Sequence, residues 1–173
     1  MGTVSEKHVN ASTFDDFVRA RGRSLWRAAF LLTGDAQAAE DLVQTALSRT
    51  FRRYCDIAND AAFDSFVRTT MYRTFCSWWR RSWRGETPMA SLPDKTSTES
   101  GPEGQLDVFR ALRELPPRQR SILVLRYFED RSIAEVAMML GITEGTVKSA
   151  SHKGCATLRT SVHLIDQEAH HER

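Results

Sequence analysis

Hydrophobic residues recur at helical spacing along most of the chain, and no stretch shows the alternation of apolar and polar residues that is typical of a strand. The first such run contains Phe14, Phe17, Val18, Leu25, Ala28, Ala29 and Leu32. Thr13 followed by Asp16 forms a capping-box pattern that predicts the start of this helix, and Gly34 predicts its end. The pattern therefore predicts an all-α protein.

Two further helices are predicted in the first half of the chain. Asp35 can cap a second amphipathic helix over residues 36–54, and residues 59–60 can cap a third that runs to about Trp83. The apolar pattern is less regular near residues 72–76, which makes this the candidate position for a break in the third helix.

Residues 85–104 (GETPMASLPDKTSTESGPEG) differ from the segments on either side. Pro, Gly, Ser, Thr and acidic residues dominate this stretch, and it lacks the periodicity that would form a core. Because it is long for a loop inside a compact domain, it predicts a flexible linker between two domains.

Four helices are predicted after the linker. The first covers residues 105–114, the second begins at Pro116-Pro117 and runs to about Glu129, and the third extends from the capping box of Ser132 to Gly141. The last helix covers 143–164. The predicted organisation is a disordered N-terminus (1–12), a helical domain (13–84), the linker (85–104), a second helical domain (105–164) and a tail (165–173).

The strongest local pattern is that of a helix-turn-helix in the second domain. Such a motif needs a small residue where its helices cross, a residue that tolerates positive φ at the turn, and an apolar residue on the second helix that packs against the first. Ala137, Gly141 and Val147 meet these needs, with Ile142 bridging the turn. The outward-facing candidates for contact with a DNA major groove are Thr143, Glu144, Thr146, Lys148, Ser149, Ser151, His152 and Lys153.

A plain helical hairpin with a solvated polar face is the alternative to the helix-turn-helix interpretation. In such a hairpin Lys148 would pair with Glu144, four residues earlier.

Positive charge and aromatic rings are concentrated at the end of the third helix. The formal net charge of the chain is only +2, but the stretch from Arg68 to Arg84 contains five arginines and no acidic residue. The segment FCSWWRRSWR adds three tryptophans to it. Arginines that hold phosphates and rings that stack on unpaired bases suit single-stranded or melting DNA. The alternative is that a tryptophan anchors the core while the arginines remain in water.

Several classes of function lack support in the sequence. The three cysteines form no CxxC pair, and neither a Gly-rich phosphate loop nor a nucleophile elbow is present, so we expect no metal site, no cofactor and no enzymatic activity. No apolar run approaches the length of a membrane span or of a signal peptide, which predicts a cytoplasmic protein. A free-standing helix-turn-helix regulator, a nuclease and a protein-binding adaptor remain as alternative functions.

Four motifs in order, on both sides of the linker, carry a resemblance to a known family. They are LLTGDAQAAEDLVQTAL, FVRTTMYRTFCSWWRRSWRGE, LRELPPRQRSILVLRYFED and LGITEGTVKS. The chain resembles the extracytoplasmic-function (ECF) sigma factors of the sigma-70 family, and more narrowly their actinobacterial SigE-type branch. The resemblance implies an RNA polymerase sigma factor that directs promoter recognition and DNA melting in transcription initiation.

The resemblance also implies partners and the residues that bind them. Core RNA polymerase would be bound through its β′ clamp helices and β flap, the second domain would read duplex DNA at the −35 element, and an anti-sigma factor is a further candidate partner. The residues implied at the β′ clamp helices are Glu40, Asp41, Leu42, Gln44 and Thr45. Those implied at the single-stranded −10 element are Arg68, Thr69, Arg73, Trp78, Trp79, Arg80, Arg81, Trp83 and Arg84.

The chain departs from the family pattern at two positions. Arg73 stands where family members commonly have an asparagine that helps to hold a flipped −10 base. A guanidinium group only donates hydrogen bonds, so this departure is expected to change the −10 preference. Ala150 stands where a long polar or basic residue is common, which removes one expected −35 contact.

Overall fold

The computed structural model describes residues 13–57, 59–83 and 103–161, with side chains over 13–57, 59–81 and 107–161. The N-terminal half contains α1 (Phe14–Thr33), α2 (Ala36–Thr50), a 3₁₀ helix (Phe51–Asp56) and α3 (Asp60–Trp83). The C-terminal half contains α4 (Glu103–Glu114), α5 (Pro117–Leu123), a π-helical segment (Val124–Phe128), α6 (Ile133–Leu140) and α7 (Glu144–Arg159). No strand occurs within these residues, so the predicted all-α fold is confirmed.

Side-chain caps set the helix starts that the sequence predicts. Thr13 and Asp16 form the expected capping box of α1, and the carboxylate of Asp35 accepts a hydrogen bond from the Ala38 amide at the start of α2. Gly34 ends α1 with φ +68°, a conformation that glycine adopts without strain.

Two predictions for the N-terminal half are wrong in detail. The apolar pattern extends the second helix to residue 54, but regular α-helix ends at Thr50 and the chain tightens into the 3₁₀ helix. The third helix runs unbroken through residues 72–76. Its apolar pattern is irregular there because Met71, Tyr72, Thr74 and Phe75 are all buried, so the helix buries more than a single apolar stripe and one of the buried positions is polar.

The C-terminal half contains the predicted helix-turn-helix. Ser132 and Glu135 form the capping box of α6, Gly141 adopts φ +66° at the turn, and the Ile142 amide donates to the Ala137 carbonyl. Val147 is fully buried against the first helix of the motif. The geometry favours the helix-turn-helix over a plain hairpin.

Other boundaries in this half differ from the sequence-based expectation. Helix α4 begins at Glu103, two residues before the expected start, and α7 ends at Arg159. The helix after Pro117 widens into the π-helical segment, and Tyr127 in this segment is 66% exposed. The expected N-terminal segment, most of the expected linker and the tail lie outside the described residues.

The two halves pack against each other around one continuous apolar core. The ring of Phe30 on α1 meets that of Phe109 on α4 edge to face, with centroids 5.0 Å apart. Arg120 on α5 is buried; it donates to the carbonyl of Leu32 at the end of α1 and lies over the ring of Phe75 on α3. Both apolar and polar contacts therefore hold the C-terminal half on α1 and α3.

Candidate nucleic-acid interface

The outer face of α7 is polar and accessible. Thr143 caps the helix by accepting a hydrogen bond from the Thr146 amide at 3.1 Å, and their two hydroxyl oxygens are hydrogen-bonded. Glu144 and four further predicted contact residues are exposed, namely Lys148, Ser149, His152 and Lys153. No ion pair joins Lys148 to Glu144 in the described part of the chain, so the ammonium group remains accessible to phosphates.

Ser151 does not share this face, and the expectation that its side chain points outward is wrong. Its hydroxyl oxygen is buried and has no hydrogen-bond partner. The reason is helical spacing, because Ser151 lies four residues after Val147 and three before Gly154, both of which are buried. Ser151 therefore faces the body of the protein.

Arg68 on α3 is also not accessible to DNA in this arrangement. Its side chain is only 5% exposed, and all three guanidinium nitrogens donate hydrogen bonds. Nε donates to the carboxylate of Asp64 at 2.7 Å, Nη1 to the carboxylate of Glu129, and Nη2 to the hydroxyl of Ser24 at 2.7 Å. In this packing of the two halves, the expected phosphate contact of Arg68 is blocked, because its buried side chain links α1, α3 and the segment after α5.

The carboxyl group of Glu129 has a perturbed environment. Burial raises its pKa, and this effect outweighs the lowering by the charges of Arg68 and Arg131. A buried carboxylate that is also close to Asp64 is held in place by its arginine partners, since an unpaired charge there would be costly.

Arg73 lies further along α3 and is exposed, but its guanidinium also contacts the C-terminal half. Nε donates to the carbonyl of Met139 at 2.6 Å, and Nη2 donates to that of Met138 at 3.1 Å. These carbonyls are in the last turn of α6, where a helix presents acceptors without partners in its own backbone. Thr69, between the two arginines, is half-buried.

The tryptophan-arginine segment at the end of α3 divides between core and surface. Trp78 is half-buried and packs against the core, which supports an anchoring role, and Trp79 is also half-buried. Arg80 and Arg81 are exposed, with Nη2 of Arg81 donating to the Ser77 hydroxyl at 3.1 Å. The Trp83 side chain and Arg84 lie outside the described side chains.

The polar face expected to meet a protein partner lies on α2. Glu40, Asp41 and Gln44 are exposed and Thr45 is half-buried. Leu42 is fully buried in the core, so its side chain is not available to a partner, contrary to the expectation. It faces inward because it lies on the apolar stripe of an amphipathic helix, and its role is to fix the orientation of the exposed face.

The residues that join the halves had little signal in the sequence. Asp64 and Arg68 are four residues apart on one helix, a spacing that could have been recognised as an ion pair. Glu129 and Ser24 are far from Arg68 in sequence and carried no such signal. Arg120 carried no such signal in the sequence either. In the structure, burial lowers its pKa to about 10.

Two kinds of site are absent from the described part of the chain. Its histidine, cysteine and acidic side chains form no cluster of three that could hold a metal ion. None of its helices combines the length and apolar character needed to cross a membrane.

Comparisons with known proteins match both halves. The family model for sigma-70 region 2 matches residues 17–85, and that for sigma-70 region 4 matches residues 111–160. An RNA polymerase sigma-E factor from Streptomyces avermitilis is 39% identical over 165 residues, covering 94% of this chain and 92% of the relative. The ECF RNA polymerase sigma factor SigL from Mycobacterium tuberculosis is 35% identical over 146 residues, covering 80% and 82% respectively.

A solved structure shares the fold. It is that of the sigma factor RpoE in complex with the anti-sigma factor NepR from Bartonella quintana, with a TM-score of 0.69 and 21% sequence identity, covering 84% of this chain and 94% of that one.

Proposed function

The chain belongs to the sigma-70 family of RNA polymerase sigma factors, and from this membership we propose how its two halves divide the work of starting transcription. The N-terminal half (13–84) acts on core polymerase and on the opened −10 strand. The C-terminal half (105–164) acts on duplex DNA at −35, and residues 85–104 join the two. Binding to polymerase sets both halves at the promoter, so that two weak DNA contacts act as one bivalent contact.

The exposed face of α7 is the observation that carries this proposal. Lys148, Ser149, His152 and Lys153 are accessible on the second helix of a fully formed helix-turn-helix. Cationic residues on such a helix hold phosphates and polar residues meet base edges in the major groove. The region 2 match over residues 17–85 favours a sigma factor over a free-standing regulator, which would not require that half.

The end of α3 is proposed to hold the melted −10 strand. Arg80 and Arg81 are exposed beside half-buried Trp79, which offers both cations and an aromatic surface. Stacking on an aromatic side chain contributes about 1–3 kcal/mol per base, enough to offset the few kcal/mol that extruding a base costs. Trp83 and Arg84, whose side chains lie outside the described residues, are proposed as further contacts to the strand.

The exposed residues of α2 are proposed to bind the β′ clamp helices of core polymerase. Asp41 is held by a hydrogen bond from Nε2 of Gln37 at 3.2 Å, which orients the carboxylate at the surface. Glu40 and Gln44 complete the polar face. The β flap is the proposed partner of the C-terminal half.

Three further properties follow from the proposed role. The protein acts in the cytoplasm, where its polymerase and DNA are found, and it supplies binding energy without catalytic chemistry of its own. It is also proposed to bind an anti-sigma factor, which is supported by the fold it shares with a sigma factor solved in such a complex.

Run-off transcription with purified core RNA polymerase on a pool of genomic promoter fragments tests the proposed function. The full chain is expected to produce discrete transcripts that core polymerase alone does not make. Gel filtration of the same mixture should show a complex of chain and polymerase. Absence of both the complex and the transcripts would refute the function, whereas a stable dimer that binds one operator without polymerase would support the regulator instead.

A further inference from the structure

We propose that the cleft between α1 and the segment after α5 binds a nucleotide, specifically a nucleoside di- or triphosphate, through two arginines and one aromatic ring. The cleft has a volume of about 460 Å³, and small-molecule sites have volumes of roughly 300–1,000 Å³. It is lined by Ala20, Arg23, Ser24, Arg27, Phe128 and Glu129. None of these residues belongs to the surfaces that the proposed function gives to DNA or polymerase, so the inference goes beyond that function.

Two arginines of α1 give the cleft a positively charged wall. Arg23 and Arg27 are about one helical turn apart, and both are exposed. Residues at this spacing have Cβ atoms about 5–6 Å apart, so two long guanidinium side chains can converge on one diphosphate. Within the described part of the chain, no ion pair or hydrogen bond occupies either guanidinium. Both can therefore donate charge-assisted hydrogen bonds to phosphate oxygens.

The hydroxyl of Ser24 adds a neutral donor to the same wall. Its oxygen accepts a hydrogen bond from Nη2 of Arg68 at 2.7 Å, and no acceptor in the described ranges takes its proton. A hydroxyl that already accepts can still donate one hydrogen bond. Because the buried Arg68 holds the serine oxygen in place, the hydroxyl can donate to a phosphate oxygen without rearrangement of the protein.

The negative charge of Glu129, which also lines the cleft, is offset within the protein. Its carboxylate accepts a hydrogen bond from Nη1 of Arg68, and its side chain is only 7% exposed. The charge of Arg131 also favours the ionised form of this carboxyl group. The excess charge that a ligand meets therefore comes from Arg23 and Arg27, and it favours an anion.

The ring of Phe128 lies on the other wall and is 50% exposed. It is the last residue of the π-helical segment, and two backbone hydrogen bonds close the turn around it. The amide of Glu129 donates to the carbonyl of Val124 at 3.0 Å, and that of Arg131 to the carbonyl of Leu125 at 2.9 Å. A half-exposed ring on such a turn offers a fixed surface on which any nucleobase can stack. Phosphate donors on one wall and a ring on the other match the two parts of a nucleotide.

Isothermal titration calorimetry of the full chain with ADP, pyrophosphate and adenosine, in buffer without divalent cations, tests the site. ADP should bind at least about tenfold more tightly than either fragment, because it alone contacts both walls. Arg23→Ala and Arg27→Ala should each weaken ADP binding about tenfold. Arg21→Ala removes an exposed arginine of α1 that does not line the cleft, and this matched control should change the affinity less than about twofold. Absence of saturable binding at about 1 mM ADP, or an equal loss in the control, would overturn the site.

Phe128→Ala separates recognition of the base from recognition of the phosphates. It should weaken ADP binding about fivefold and leave pyrophosphate binding unchanged, and equal changes for the two ligands would contradict the stacking wall. A single-stranded oligonucleotide is the last comparison. If Arg23→Ala weakened its binding more than that of ADP, the arginine would belong to a DNA site and the nucleotide site would be wrong. These titrations use no polymerase, so they decide the inference whether run-off transcription supports or refutes the proposed function.

Discussion

Leu123 packs so closely against Gly154 that a Cβ added to the glycine would lie 2.9 Å from Cδ1 of the leucine. This contact joins α5 to α7 and holds α7, the second helix of the helix-turn-helix, against α5. Leu123 is itself 3% exposed, so its side chain has little room to move away.

Gly154→Ala should therefore destabilise the protein by about 1 kcal/mol, because a packing cost of about 1–3 kcal/mol exceeds the gain of about 1 kcal/mol in helix propensity. The matched control is Gly22→Ala on α1, where the nearest atom to the added Cβ is 4.0 Å away. This variant should be stabilised by up to about 1 kcal/mol. Urea unfolding of both variants measures the difference, and equal shifts would contradict the tight contact.

Arg120→Lys should lower the free energy of unfolding by about 3 kcal/mol. The guanidinium of Arg120 donates to the carbonyls of Leu32, Arg113 and Leu115, and a single ammonium group cannot replace this fork in a buried site. Arg118→Lys is the control, because Arg118 is exposed on the same helix. Thermal unfolding distinguishes them; a similar decrease in stability in both variants would argue against the anchoring role.

The capping box of α1 predicts a pH dependence of stability. The backbone amide of Thr13 donates to the carboxylate of Asp16 at 3.0 Å and, with the Thr13 hydroxyl, lowers the pKa of this exposed group. A depressed pKa in the folded state contributes stability at pH values above the unfolded value of ~3.9, and this contribution is lost as the pH falls through the folded value.

Asp16→Asn should consequently be less stable than the parent chain at neutral pH and should approach it in strong acid. Asp15→Asn changes the neighbouring exposed carboxylate in the same helical turn and is the control. Urea unfolding measured over a pH series provides the comparison. A deficit for Asp16→Asn that persists unchanged in strong acid would contradict the capping contribution.

The exposed and buried faces of α7 predict different responses to mutation. Lys148→Ala and Lys153→Ala should each weaken binding to a mixed-sequence DNA duplex and reduce the salt slope of the binding constant by about 0.9 for each phosphate that the protein no longer neutralises. Ser151→Ala should leave both quantities unchanged, because its hydroxyl oxygen is buried. Fluorescence anisotropy over a salt series checks this, and a Ser151→Ala defect equal to that of Lys153→Ala would refute the assignment of faces.

The parts of the structure that sequence reasoning predicted are those determined by neighbouring residues. The capping boxes, the positive φ of Gly141 and the burial of Val147 each depend on chemistry within a few positions. The partners of Arg68 and Arg73 were not predictable, because Glu129 and the α6 carbonyls come close only when the two halves pack together. The orientation of Ser151 was predicted wrongly, because the sequence does not show that α7 packs against α5 at Gly154, and this packing defines the inner face of α7.

The proposed function assigns opened strands to the end of α3 and duplex DNA to α7. Permanganate reactivity of thymines at a −10 element, measured in complexes with core polymerase, reports strand opening separately from polymerase binding. Trp79→Ala and Arg80→Ala should keep near-normal polymerase binding, in competition with another sigma factor, and show little of the reactivity. If both variants reduced polymerase binding and strand opening to the same extent, the division of roles would be wrong.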